Sequence, residues 1–117
     1  MAKATQSPRE LEAAVLLKAA SRLQALRDDW NGRRAELDDA LTFNRKLWTV
    51  LVTSATDAAN PLPQPIKNNI ANLALFVFER TITVMTEPAP EKLGALVNIN
   101  REIAAGLSAR PQPANAA

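Results

Sequence analysis

The segment from Asn60 to Phe78 constrains this chain more than any other. A proline-punctuated joint, Asn60-Pro-Leu-Pro-Gln-Pro65, opens directly into Ile66-Lys-Asn-Asn-Ile-Ala-Asn-Leu-Ala-Leu-Phe-Val-Phe78. Prolines are excluded from a helix interior, but Pro65 suits a first turn, where the missing amide proton is no loss. At 100° per residue from Ile66, Ile70, Leu73, Val77 and Val84 fall within about 40° of it. Phe78, Leu75, Ile82 and Met85 fall between about 100° and 180°. Lys67 lies at the edge of this second group, where its stem can follow apolar surface with the amine at water. Asn68, Asn69, Asn72, Glu79, Arg80 and Thr83 take the rest of the circumference. So wide an apolar arc must be covered on two sides, by this chain or by another.

Composition narrows the function classes. A chain of 117 residues forms one domain with a modest core. Without cysteine it has no disulfide, thiol redox chemistry or thiolate metal site, and without histidine it lacks the usual general base and the commonest metal ligand. A net charge of +2 with intermixed signs gives no strong pull toward nucleic acid or membrane. The start, Met-Ala-Lys-Ala-Thr-Gln-Ser-Pro8, has no apolar core of a secretory signal, and no run is long enough to span a bilayer, so a cytoplasmic location is expected.

Periodicity predicts an all-α bundle of four helices in a single domain over 1–108, with helices over about 8–30, 34–59, 65–86 and 91–107. The first opens with Ser7 as N-cap, Pro8 next and Glu10 three residues on, a capping-box pattern. Leu16, Ala19, Leu23, Leu26 and Trp30 follow at steps of 3 and 4, flanked by Val15 and Leu17. Asn31-Gly32 is expected to stop this helix in the left-handed conformation. In the second, Leu37, Leu41, Asn44, Trp48, Leu51 and Ala55 form the stripe, widened by Ala40, Leu47 and Val52, and Asn60-Pro61 ends it. The third is the helix that follows the proline joint, and Glu87-Pro88-Ala89-Pro90 closes it. Leu93, Leu96, Asn100, Ile103 and Leu107 align in the fourth, where Gly94 reads as a close helix contact. Residues 109–117 carry no periodicity and are expected to be disordered.

Two asparagines interrupt these stripes. Asn44 and Asn100 each fall mid-stripe, where an unpaired carboxamide costs roughly 1–3 kcal/mol. Either they pair with each other, backbone or water and fix register, or they face a groove and bond a partner's main chain. Trp48, one turn beyond Asn44, is either core or an anchor for a partner, and Trp30 at its helix end is open to the same two readings.

Several stretches taken together resemble the FlaF family of alphaproteobacterial flagellar proteins. They are Glu10-Leu11-Glu12 with Leu16-Leu17-Lys18-Ala19-Ala20, then Ala40-Leu-Thr-Phe-Asn-Arg-Lys-Leu-Trp48. Leu62-Pro63 with Ile66-Lys-Asn-Asn-Ile-Ala-Asn-Leu73, and Leu96-Val-Asn-Ile-Asn-Arg-Glu-Ile-Ala-Ala-Gly-Leu107, complete the set. The likeness spans roughly residues 9–108 and leaves out the first eight residues and the proline-rich tail. It implies a small cytoplasmic protein that supports flagellin synthesis and delivery to the export apparatus, as a dedicated chaperone would. The family works alongside a second regulator, FlbT, which restrains flagellin translation through the flagellin messenger. The resemblance carries no catalytic or ligand-binding pattern and implies no cofactor.

Physical reasoning accommodates that role. A bundle with one apolar groove can hold an amphipathic helix by its i, i+3, i+4 and i+7 anchors. The expected docking surface is flagellin's terminal helix against the second and third helices, at Asn44, Leu47, Trp48, Leu51, Ile70, Leu73 and Val77, with Trp30 a further candidate. The competing reading makes all of these core. Direct binding of flagellin messenger would need a clustered basic face, and Arg33, Arg34, Arg45 and Lys46 are the nearest approach, broken up by Glu36, Asp38 and Asp39. Self-association of the third helix into a two-fold dimer would also cover its surplus. Nothing points to an enzyme or a metal: Asp28-Asp29 and Asp38-Asp39 splay about 100° apart on a helix, no glycine-rich phosphate loop exists, and no serine has a histidine to activate it.

Overall fold

A computed structural model describes residues 7–108. All regular structure within them is helical: α1 (Pro8–Asp28), the single turn α2 (Trp30–Arg33), α3 (Leu37–Thr56), α4 (Gln64–Thr86) and α5 (Gly94–Ser108). Short 3-10 turns at Arg34–Glu36 and Pro90–Leu93 lead into α3 and α5. The four long helices are the four that periodicity predicts. The tail at 109–117 lies outside the described residues. No helix among those described is long and apolar enough to cross a membrane.

The capping box forms as expected. The Glu10 amide donates to Ser7 Oγ and the Ser7 amide to Glu10 Oε1, each at 3.1 Å, so two otherwise orphaned N–H groups are satisfied. The other end of α1 departs from expectation. The helix breaks at Asp29 (φ −131°, ψ 59°), three residues before the glycine, and Gly32 has no positive φ; it is part of α2 instead. Its function is steric, because a Cβ there would lie 2.6 Å from the Asp29 carboxylate. With α1 ended early, Trp30 is only half-buried, and the Arg34 guanidinium covers its ring at 5.0 Å.

At the α3–α4 joint, Asn60 Nδ2 donates to the Ser54 carbonyl (3.0 Å) while Asn60 Oδ1 accepts from the Leu62 amide (2.9 Å). One side chain thereby secures both arms of the proline turn. Lys67 is buried, not snorkelling to water, and its Nζ donates to the Asp57 carbonyl at 2.9 Å. That puts a cation at the carboxyl end of α3, where the helix dipole favours it. Thr81, buried mid-α4, returns its hydroxyl to the Val77 carbonyl at 2.7 Å. The fourth long helix starts at Gly94, not at residue 91, since Pro90 begins a 3-10 turn first. Gly94 is a close contact, as expected: a Cβ there would meet the Arg27 guanidinium of α1 at 3.3 Å.

The core is one cluster drawn from every long helix, with Leu16, Leu23, Leu41, Ile70, Val77 and Leu96 wholly enclosed. α1 lies most extensively along α5, α3 packs on α4 and on α1, and α4 touches α5 far less than it touches α3. α4 is therefore the least covered helix. Its first apolar arc is sealed at Ile70, Val77 and Val84. Its second is not: Leu75 and Ile82 are 64% and 65% exposed and Met85 is open, with Phe78 half-buried between them.

Candidate partner-binding cleft

The polar interruptions of the stripes converge at the centre of the bundle. Trp48 Nε1 donates to Asn100 Oδ1 (2.8 Å), and Asn100 Nδ2 donates to Asn44 Oδ1 (2.7 Å) and to the Leu16 carbonyl (3.4 Å). All three side chains are fully enclosed. The network ties α1, α3 and α5 together at one level and so fixes their register. Its one loose end is Asn44 Nδ2, which is buried with no hydrogen-bond partner.

Of the residues expected to meet a partner, Asn44, Trp48, Leu51, Ile70 and Val77 are buried within the protomer. Leu47, Leu73 and Trp30 are half-buried and packed against the core from its edge. The exposed apolar surface lies elsewhere, for the most part on the flanks of these same helices.

The weak α4–α5 seam leaves a cleft of about 300 Å³ at the end of the bundle where α1 and α4 begin and α5 finishes. Ile66, Ile70 and Leu73 form its α4 wall, Ile103, Gly106 and Leu107 its α5 wall, and Leu62 closes one end. Asn69, Arg9 and Glu102 add polar groups. Arg9 and Glu102 form no ion pair within the described residues. Gly106 has open space where a Cβ would point, nothing lying within 4 Å, so another backbone can approach α5 closely there. Such a surface, apolar with convergent polar groups, suits the apolar side chains of a docked helix.

Sequence reasoning reached Ile70 and Leu73 but not the α5 wall. Ile103 and Leu107 continue the α5 stripe from Leu96 and Asn100 and are themselves buried, so periodicity reads them as core. Gly106 carried a usable signal: a glycine inside a helical run costs about 1 kcal/mol against alanine.

The basic residues do not gather into one free patch. Arg33 pairs with Glu36 at 3.8 Å and Arg34 lies over Trp30, while Arg45 and Lys46 are exposed further along α3.

A search of curated proteins and a search of solved structures each return no match. The family model described as flagellar protein FlaF matches residues 1–107. The match begins at the first residue, upstream of where the motif likeness starts, and stops short of the proline-rich tail. The chain belongs to the FlaF family of flagellar proteins.

Proposed function

We propose that this protein is a non-enzymatic, flagellin-binding chaperone and regulator of the cytoplasm. It supports flagellin synthesis and secretion during flagellum assembly by holding an amphipathic flagellin helix in the α4–α5 cleft. The observation that carries the reading is a depression along the thinly packed α4–α5 seam, where Ile66 and Leu73 stay accessible at the edge of the closed core. Leaving such surface in water is unfavourable at about 25 cal/mol per Å², and a partner helix relieves it. Membership of a flagellar family supplies the biological setting.

Co-expression with flagellin followed by size exclusion tests the reading. The wild-type pair should co-elute as a stoichiometric complex. Leu73→Asp, at a half-buried cleft position, should keep its helical circular dichroism and lose the complex. A folded Leu73→Asp protein that still co-elutes with flagellin would refute the cleft as the site. Action on the flagellin messenger, directly or through FlbT, predicts instead RNA binding that weakens steeply with salt, a response that apolar docking lacks. Self-association would act through the outer stripe of α4, at Leu75 and Ile82, on the flank away from the cleft.

A further inference from the structure

We infer that α4 pivots about the Glu87–Leu93 joint to widen the cleft as a partner helix enters, while α1, α3 and α5 stay fixed. This rests on the cleft reading and adds a moving wall to it. As the cleft stands, its α5 wall is shut: Ile103 is 9% exposed and Leu107 5%. Partner side chains reach those two residues only if α4 moves aside.

Directional bonds are gathered at the joints and missing along the seam. Near the carboxyl end of α4, Arg80 Nη1 donates to the Lys92 carbonyl at 3.5 Å. Lys92 Nζ closes the joint itself, donating to the Glu87 carbonyl at 2.6 Å and lying 3.7 Å from the Glu87 carboxylate. At the far end, Lys67 Nζ donates to the Asp57 carbonyl at 2.9 Å. Among the described residues, no α4 side chain bonds to α1, α3 or α5, whereas Asn44, Trp48 and Asn100 bind those three to one another. Apolar contact has no preferred direction, so a helix held by it can tilt without losing a bond. α4 is also thinly anchored. It buries six of its 23 residues, Lys67 and Thr81 among them, while α5 buries seven of 15.

The joint is built to take up the motion. Pro88 and Pro90 bar a continuous helix from α4 into α5, so a change of angle falls on the segment between them. The lever is long. Ile66 and Leu73 lie about 21–32 Å from Glu87 at 1.5 Å per residue, so a tilt of roughly 10° moves that wall by about 4–5 Å. Lys67 does not oppose the tilt, because its flexible four-carbon stem can follow the Asp57 carbonyl. The cleft thus lies at the free end of the α4–α5 pair, where a small rotation opens it most.

The chain has no cysteine, so spin labels can be placed in chosen pairs. Full-length protein is labelled at Asn72→Cys with Ala105→Cys, across the seam, or at Lys18→Cys with Ala105→Cys, within the α1–α5 frame. All three positions are exposed and outside the cleft lining. Distances between labels are measured by electron paramagnetic resonance with and without saturating flagellin, and co-elution is checked for each pair. Flagellin should lengthen the Asn72–Ala105 distance by about 4 Å and leave the Lys18–Ala105 distance unchanged. Unchanged distances in protein that co-elutes with flagellin would overturn the pivot and leave the cleft standing. Equal lengthening of both would overturn the pivot too, by showing that the frame itself deforms. If flagellin does not bind even the unlabelled protein, the cleft reading falls and the free protein decides the pivot. There the Asn72–Ala105 distribution should be the broader of the two, and equal widths would overturn the pivot.

Discussion

The centre of the bundle and the α4–α5 seam treat mismatched chemistry in opposite ways. At the centre, polar Asn44, Asn100 and the Trp48 indole are sealed inside and bonded to one another. At the seam, Ile66 is exposed and Leu73 half-buried on the α4 wall, beside an α5 wall whose Ile103 and Leu107 are closed off. A chain selected only for stability would do neither, because a well-packed apolar centre and a closed seam would both be more favourable. The contrast teaches that the two features have different tasks. The sealed polar network specifies one register for α1, α3 and α5, and α4, outside it, makes only slight contact with α5.

Breaking the network should have the largest effect. Asn100→Ala removes both hydrogen bonds from one carboxamide to other side chains, strands the Trp48 N–H and Asn44 Oδ1, and leaves a small cavity. A loss of about 3 kcal/mol or more is expected from the urea midpoint. A change below about 1 kcal/mol would mean that the network is dispensable and that register is set by apolar packing alone.

The seam should respond in the other direction. Gly106→Ala adds a methyl group into open space and removes a helix penalty, so the melting temperature should rise by an amount equivalent to at most about 1 kcal/mol. The same change should weaken flagellin binding, as the methyl group holds a partner backbone away. Stabilisation with unchanged affinity would separate Gly106 from the site.

The smallest effect concerns Glu12, half-buried on α1. Burial lifts its carboxyl above the ordinary value of 4.5, and the Arg9 charge opposes the rise. Between the ordinary value and the raised one the folded state holds the proton more often than the unfolded state. Stability from this group therefore falls as pH rises through that window. Glu12→Gln should flatten this shallow slope in melting temperature just above the ordinary carboxyl value, and an unaltered slope would assign it to other carboxylates.

Much of the fold was legible in the residues themselves. Steps of 3 and 4 placed all four long helices, and the prolines at 61, 63 and 65 marked the sharpest joint. The exceptions have local causes. Asn31-Gly32 looked like a stop, yet the chain turned at Asp29, and the glycine serves close approach of that carboxylate. Pro90 diverted the start of α5 into a 3-10 turn.

The candidate site was less legible. Periodicity measures how wide an apolar face is, not which neighbour covers it, so Trp48, Leu51 and Val77 were open to a core or a partner reading and are enclosed. Conversely, Val50 and Leu11 fall off the stripes of α3 and α1, and they are among the most exposed apolar side chains. Only the three-dimensional order of the helices distinguishes the closed α1–α5 seam from the open α4–α5 one.

Amide hydrogen exchange with and without flagellin tests most directly whether the open seam is a docking site. Exchange should slow at 66–73 of α4 and 103–107 of α5, with the outer stripe around Leu75 and Ile82 unchanged. Slowing confined to that stripe, or none anywhere at saturating flagellin, would contradict the account.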